Sequence, residues 1–215
     1  MTDLGRVLSC LLHDLRSPLG VAGGYLRLMR EGRLASADDT ERAIVKTQDA
    51  LRAMTSLCAD ATAWLDLEPP APPRQYPVPA FVAQVGAHAE AQMLPLDLPP
   101  AAPPAAITLT GHDDAVAHAV AVLIGVVAAV GTRRCLAHCD ETHLWFSVRD
   151  AETPERAARP FDPWRYRGLA APLAERIITQ AGGHCLAGVS ADEPLRVEFT
   201  LDPPVPERPV VANGR

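Results

Sequence analysis

Leu12-His13-Asp14-Leu15-Arg16-Ser17-Pro18-Leu19 lies inside a run whose apolar residues recur every three or four positions: Leu4, Leu8, Leu11, Leu15, Leu19, Ala22, Leu26 and Met29. That spacing places them on one stripe of an α-helix. At roughly 100° per residue, His13 falls about 140° from the stripe, so its imidazole is expected to face solvent. Ser17 follows one turn along the same face. Pro18 cannot donate to the carbonyl of Asp14 and is expected to bend the helix, at about 3 kcal/mol unless packing compensates. Neutral imidazole is a good nucleophile, and a carboxylate accepting from one ring nitrogen fixes the tautomer and frees the other to attack. Asp14 is placed for that work, and Arg16 for holding an incoming anionic group.

Gly32 is expected to stop this helix, and Ser36 to Asp39 offer cap residues ahead of Glu41. A second stripe follows: Ile44, Thr47, Leu51, Met54, Cys58, Ala61 and Leu65. Two amphipathic helices with a short connection form an antiparallel hairpin. Each stripe of such a hairpin is buried on one side only, and the simplest completion is a homodimer, a four-helix bundle.

The composition sets outer bounds. With 48% hydrophobic and 21% charged residues, the chain can bury a core, which excludes wholesale disorder. A net charge of −6 argues against a broad nucleic-acid footprint, so no nucleic-acid partner is expected. The basic residues are Arg apart from the single Lys46. The most apolar stretch, 115–130, falls short of the roughly 20 residues a membrane span needs, so no membrane partner is expected. Five irregularly spaced cysteines and no export signal read as reduced thiols in a cytoplasmic protein.

Proline marks the boundaries. Glu68-Pro69-Pro70-Ala71-Pro72-Pro73 cannot be helical and reads as a stiff connector. The expected division is a hairpin over 1–67, a linker over 68–75, a second domain over 76–202 and a disordered tail over 203–215. In the second domain, helices are expected over 78–92, 113–130 and 169–181. Strands are expected over 106–109, 184–189 and 195–201, with 135–139 and 144–148 joined as a hairpin through Asp140-Glu141-Thr142. Helices on one face of a mixed sheet make the class α+β. Cys135, His138, Cys139 and His143 invite a zinc reading, but alternation on a strand separates His138 from the two thiols, and buried sheet thiols are the simpler account.

The first half resembles the sensor histidine kinases of two-component signalling, whose first bundle helix carries a His-(Asp/Glu)-x-Arg-x-Pro-Leu box matched by Leu12 to Leu19. The resemblance implies that His13 is the phosphoacceptor, Asp14 its acid/base partner and Pro18 the helix-bending residue. Arg16, Ser17 and Pro18 would flank the phosphoryl group or the partner; Ser17 stands where the family usually has Thr or Asn. The order of elements over 76–202 resembles the family's ATP-binding domain, an α/β sandwich. Gly111-His112-Asp113-Asp114 resembles the turn before its asparagine-bearing helix, and Phe161-Asp162-Pro163-Trp164 its Phe-x-Pro-Phe box.

The departures from that pattern fall on the nucleotide site. The magnesium-holding asparagine is expected near Val126, where Val122 to Ala129 offer no oxygen ligand. Asp150 matches the adenine-reading aspartate, but Ala151-Glu152-Thr153-Pro154 replaces the glycines after it. The glycine-rich phosphate loop is reduced to Gly168-Leu169-Ala170-Ala171-Pro172, and the lid, 152–167, is short. The expectation is therefore a histidine phosphotransferase on a degenerate scaffold. It would pass a phosphoryl group between aspartates of response-regulator receiver domains through His13, with no ATP or Mg cofactor of its own. Any magnesium would come with the receiver. Two rivals are a divergent but active kinase and a non-catalytic pseudokinase scaffold.

Overall fold

A computed structural model describes residues 3–66, 72–94, 96–97, 105–129, 134–149, 159–166, 168–187 and 195–202. The chain divides into two units: the first is 1–69 with 162–175, the second 70–161 with 176–215.

The first unit is built on α1 (Asp3–Arg30) and α2 (Ala37–Leu65). α1 runs unbroken through Pro18. It stops where the sequence supplies a residue for the left-handed region: Gly32 has φ +62°. There the Gly32 N–H donates to the Met29 carbonyl at 3.1 Å and the Arg33 N–H to the Leu28 carbonyl at 3.0 Å, the two bonds of a Schellman motif. Ser36 caps α2, its Oγ accepting from the Asp39 N–H at 3.1 Å. Small residues line the seam between the helices: Ala22, Ala43, Thr47 and Ala50 are buried, and Thr47 Oγ1 donates to the Ala43 carbonyl at 2.8 Å.

Part of each expected stripe stays uncovered. Leu4, Leu8, Leu19 and Leu26 of α1, and Ile44, Leu51 and Leu65 of α2, are exposed in the single chain. Leu12, outside the expected stripe, joins them at 62% exposed. A hairpin has only one inner seam, and Val7 rather than Leu8 fills it.

Residues 162–175 belong to this unit. They begin with a single 3-10 turn (Pro163–Arg165), its first N–H groups served by Asp162, whose carboxylate accepts from Trp164 N–H at 3.3 Å. Leu169 is fully buried in a cluster with Val7, Ala61 and Trp64, flanked by Leu11, Trp164 and Leu173.

The second unit holds a six-stranded mixed sheet and a two-stranded one. The strands are β1 (Pro73–Pro77), β2 (Leu96–Asp97), β3 (Ala106–Thr110), β4 (Arg134–Cys139), β5 (His143–Arg149), β6 (Arg159–Pro160), β7 (His184–Ala187) and β8 (Leu195–Thr200). The larger sheet runs β2-β4-β5-β8-β7-β6, with β2–β4 parallel and the other pairs antiparallel; β1 pairs with β3. α3 (Val78–Ala91) and α4 (Asp113–Ala128) pack together, and α4 lies against β4, β5 and β8. Phe81 meets Phe146 and Phe199 edge to face at 6.2 and 5.4 Å, which ties helix to sheet. α5 (Ala170–Gln180) closes with a second Schellman pair at Gly182 and Gly183. A β-carbon at Gly183 would fall 2.7 Å from both Ile178 and Phe199, so that position admits only glycine.

The α+β class and the helical hairpin ahead of a mixed sheet agree with the sequence. Residues 73–75, read as the end of the linker, are strand; proline is tolerated there because β1 is an edge. Residues 67–71, 98–104 and the tail from 203 lie outside the described residues. Among the described residues, no helix is long and apolar enough to cross a membrane.

Candidate functional site

His13 and Asp14 occupy the middle of α1, and their surroundings differ sharply. The His13 side chain is 78% exposed and that of Asp14 only 14%. His13 Nδ1 lies 2.9 Å from Asp14 Oδ1. An ionised carboxylate only accepts, so Nδ1 carries the proton and the lone pair is on Nε2, the ring nitrogen left free.

The other carboxylate oxygen has its own partners. Asp14 Oδ2 accepts from the backbone N–H of Gly168 at 2.7 Å, and Cys10 Sγ lies 3.6 Å from both that oxygen and the Gly168 carbonyl. Partial burial by itself raises the Asp14 pKa. The hydrogen bonds from His13, Gly168 and Cys10 outweigh it and hold the carboxyl below its usual 3.8. Burial, then the neighbouring Asp14 charge, pushes the Cys10 thiol up to about 11.

Two grooves meet at this pair. One, of about 440 Å³, runs between α1 and α2 and is lined by His13, Asp14, Ser17, Pro18, Val21, Lys46, Asp49, Leu57 and Gly168, among others. The second, of about 380 Å³, is bordered by Arg6, Ser9, Cys10, Trp164, Arg165 and Tyr166 along with His13 and Asp14. Four of the five candidate residues, His13, Asp14, Ser17 and Pro18, thus share the first groove. Arg16 is exposed and lines neither. Cys10, Lys46 and Gly168 were not anticipated. The N–H that Gly168 donates to Asp14 comes from a backbone 154 positions away, which no local motif encodes.

In the second unit, Asp113 accepts from Gln84 Nε2 at 2.7 Å and Asp114 faces His88 Nε2 at 2.9 Å, so the acidic start of α4 serves its own helix contacts. The His138 ring lies 4.5 Å from that of Trp145, the planes tilted by 43°, on the face opposite buried Cys135. Among the described residues, no group of three metal-ligating side chains comes together.

An antiparallel helical hairpin presenting a His-Asp pair, followed by α3 and α4 on a mixed sheet, is the architecture of the sensor histidine kinases. The fold of this chain is histidine-kinase-like. The histidine kinase AdeS of Acinetobacter baumannii superposes with a TM-score of 0.52 at 14% identity, over 87% of this chain and 97% of that one. The histidine kinase ThkA, solved in complex with the response regulator protein TrrA, gives a TM-score of 0.60 at 13% identity. That match covers 92% of this chain and 61% of the ThkA chain. The sequence itself matches no family model and no curated protein.

The fold implies a magnesium–nucleotide site in the second unit. From Val122 to Ala128, α4 has no side-chain oxygen to offer a hard cation. Gln92 and Leu94 fill the space beside Gly125: a β-carbon there would lie 3.3 Å from Gln92 Oε1. This stretch of the helix does not fit magnesium. Asp150 and Ala151 to Pro154 lie outside the described residues, as does half of the 152–167 lid.

Proposed function

We propose that this protein is a histidine phosphotransferase of a two-component phosphorelay, taking a phosphoryl group from a receiver-domain aspartate onto His13 and giving it to another. The observation that carries the reading is the His13–Asp14 pair: one ring nitrogen held at 2.9 Å by a sheltered carboxylate, the rest of the ring open to solvent. The lone pair of Nε2 attacks phosphorus, the P–N bond forms, and the P–O bond to the receiver's aspartate breaks with its electrons leaving on that carboxylate. The positive charge gained by the imidazole is offset by Asp14 through Nδ1–H. Transfer onward reverses these steps. An aspartyl phosphate is already an activated donor, so this chain need only position and orient the ring. Magnesium, where it takes part, is held by the receiver.

Three features support the partners. ThkA binds a response regulator, and the groove beside His13 is open to a docked domain. The exposed leucines of α1 and the apolar residues of α2 fit a second copy of this chain, completing a four-helix bundle. On the helical wheel that leucine face lies roughly 135° from His13, so dimerisation leaves the imidazole uncovered. The lack of side-chain oxygens from Val122 to Ala128 and the commitment of the Gly168 amide to Asp14 favour transfer without ATP.

The test is a donor comparison. Purified protein is incubated with phosphorylated receivers, and separately with magnesium and ATP. Label is expected from a receiver on wild-type protein and not on His13→Ala. Label from ATP alone would make it a kinase, and no label from either donor would make it a scaffold.

A further inference from the structure

We infer that the Gly168 amide is a positioning donor for His13: it fixes the Asp14 carboxylate, and through it the imidazole, so that the remnant of the phosphate loop serves the histidine. This rests on the phosphotransferase reading for its purpose, though not for its geometry.

Asp14 is gripped at both oxygens, Oδ1 by His13 Nδ1 at 2.9 Å and Oδ2 by the Gly168 N–H at 2.7 Å. With one oxygen held, a carboxylate still turns about its terminal torsion, which is broad and soft. With both held, its plane is set, and the ring bonded to it is set too. The amide bond is short, as expected for an N–H donating to a charged acceptor.

The donor is itself held firmly. Leu169, the next residue, is fully buried among Val7, Ala61 and Trp64, and Trp164 packs on Trp64 at 5.8 Å. Gly168 has φ +80°, a conformation that a side chain disfavours. Space is not the constraint, because the nearest atom to an added β-carbon would be Leu57 Cδ2 at 3.5 Å. The glycine is required by the backbone direction that aims its N–H at Asp14.

The experiment uses the full chain and phosphoramidate, a small donor that phosphorylates histidine without a receiver. Gly168→Ala is expected to slow His13 phosphorylation about tenfold, as misplacement of a reacting group does. Gly32→Ala, equally strained at φ +62° but far from the site, is expected to react at the wild-type rate. In wild-type protein labelled with nitrogen-15, the Gly168 amide resonance should shift as Asp14 titrates in acid, and again when His13 is phosphorylated. An equal rate in Gly168→Ala, or a Gly168 amide that ignores both events, overturns the inference. If Gly168→Ala does not fold, the wild-type amide decides. If phosphoramidate shows the effect while no receiver labels His13, the positioning role stands and the phosphotransferase reading falls.

Discussion

Trp164 meets Trp64 edge to face, ring centroids 5.8 Å apart and planes at 62°, while the Arg6 guanidinium lies 5.3 Å from the Trp164 ring. The pair fastens a segment late in the sequence to the open end of the α1–α2 hairpin, beside the turn of helix that carries His13. Leu169 then drops into the same apolar cluster. Aromatic burial supplies the energy of this attachment, and the hydrogen bond to Asp14 supplies its register.

Replacing Trp164 with alanine removes the ring contact, the cation–π contact and part of the Leu169 cluster's cover. Stability should fall by about 2 kcal/mol, between the worth of an aromatic pair alone and that of a fully buried aromatic. Denaturant unfolding checks this through the transition midpoint. A change below about 0.5 kcal/mol, the level of an ordinary surface substitution, would show that the ring does not anchor the segment.

Asp14→Asn keeps the shape of the side chain but removes its charge, so it no longer compensates the imidazolium that forms on phosphoryl gain. The rate at which a phosphorylated receiver labels His13 should drop by about 100-fold or more. Circular dichroism should be unchanged. A rate within threefold of wild type would assign Asp14 a structural place only.

The pH dependence has two limbs with opposite signs. Asp14 has a depressed pKa in the folded chain, so the unfolded chain takes up its proton first as pH falls. The stabilisation is complete above the ordinary value of 3.8 and drains as pH drops through the lower folded value. Cys10 has a raised pKa, so its contribution is complete below the ordinary 9.0 and is lost as pH rises towards about 11. Unfolding midpoints across pH should lose the acid effect in Asp14→Asn and the alkaline one in Cys10→Ala. Unchanged profiles in both variants would refute the assignments.

Much of the first unit was legible because its signals are local. Three- and four-residue spacing marks α1 and α2, and Gly32 and Ser36 mark their ends. The β4–β5 hairpin was legible from the alternation of Leu144, Phe146 and Val148 with Trp145, Ser147 and Arg149. The two-residue strands β2 and β6 carry too little pattern to read, and β1 was hidden by its own prolines. Within the site, the His13–Asp14 pairing follows from adjacency on one helix. The Gly168 amide and Cys10 do not: main-chain donors leave no residue-type signal, and a cysteine on a helix is ordinarily a small apolar filler.

Leu19 lies on the exposed leucine face, 62% accessible in the single chain. Light scattering should find the wild-type protein at twice its 23.0 kDa chain mass and Leu19→Glu at the single mass, because a buried carboxylate without a partner opposes association. A monomeric wild-type protein would remove the four-helix bundle from the account.

Phosphotransfer through His13 is tested most directly by locating the phosphoryl group itself. After incubation with a phosphorylated receiver, phosphorus NMR and peptide mapping should find an acid-labile, base-stable N-phosphate on His13, absent from His13→Ala and absent when ATP is the only donor. The same N-phosphate formed from ATP alone, or a receiver phosphate that never reaches residue 13, would contradict it.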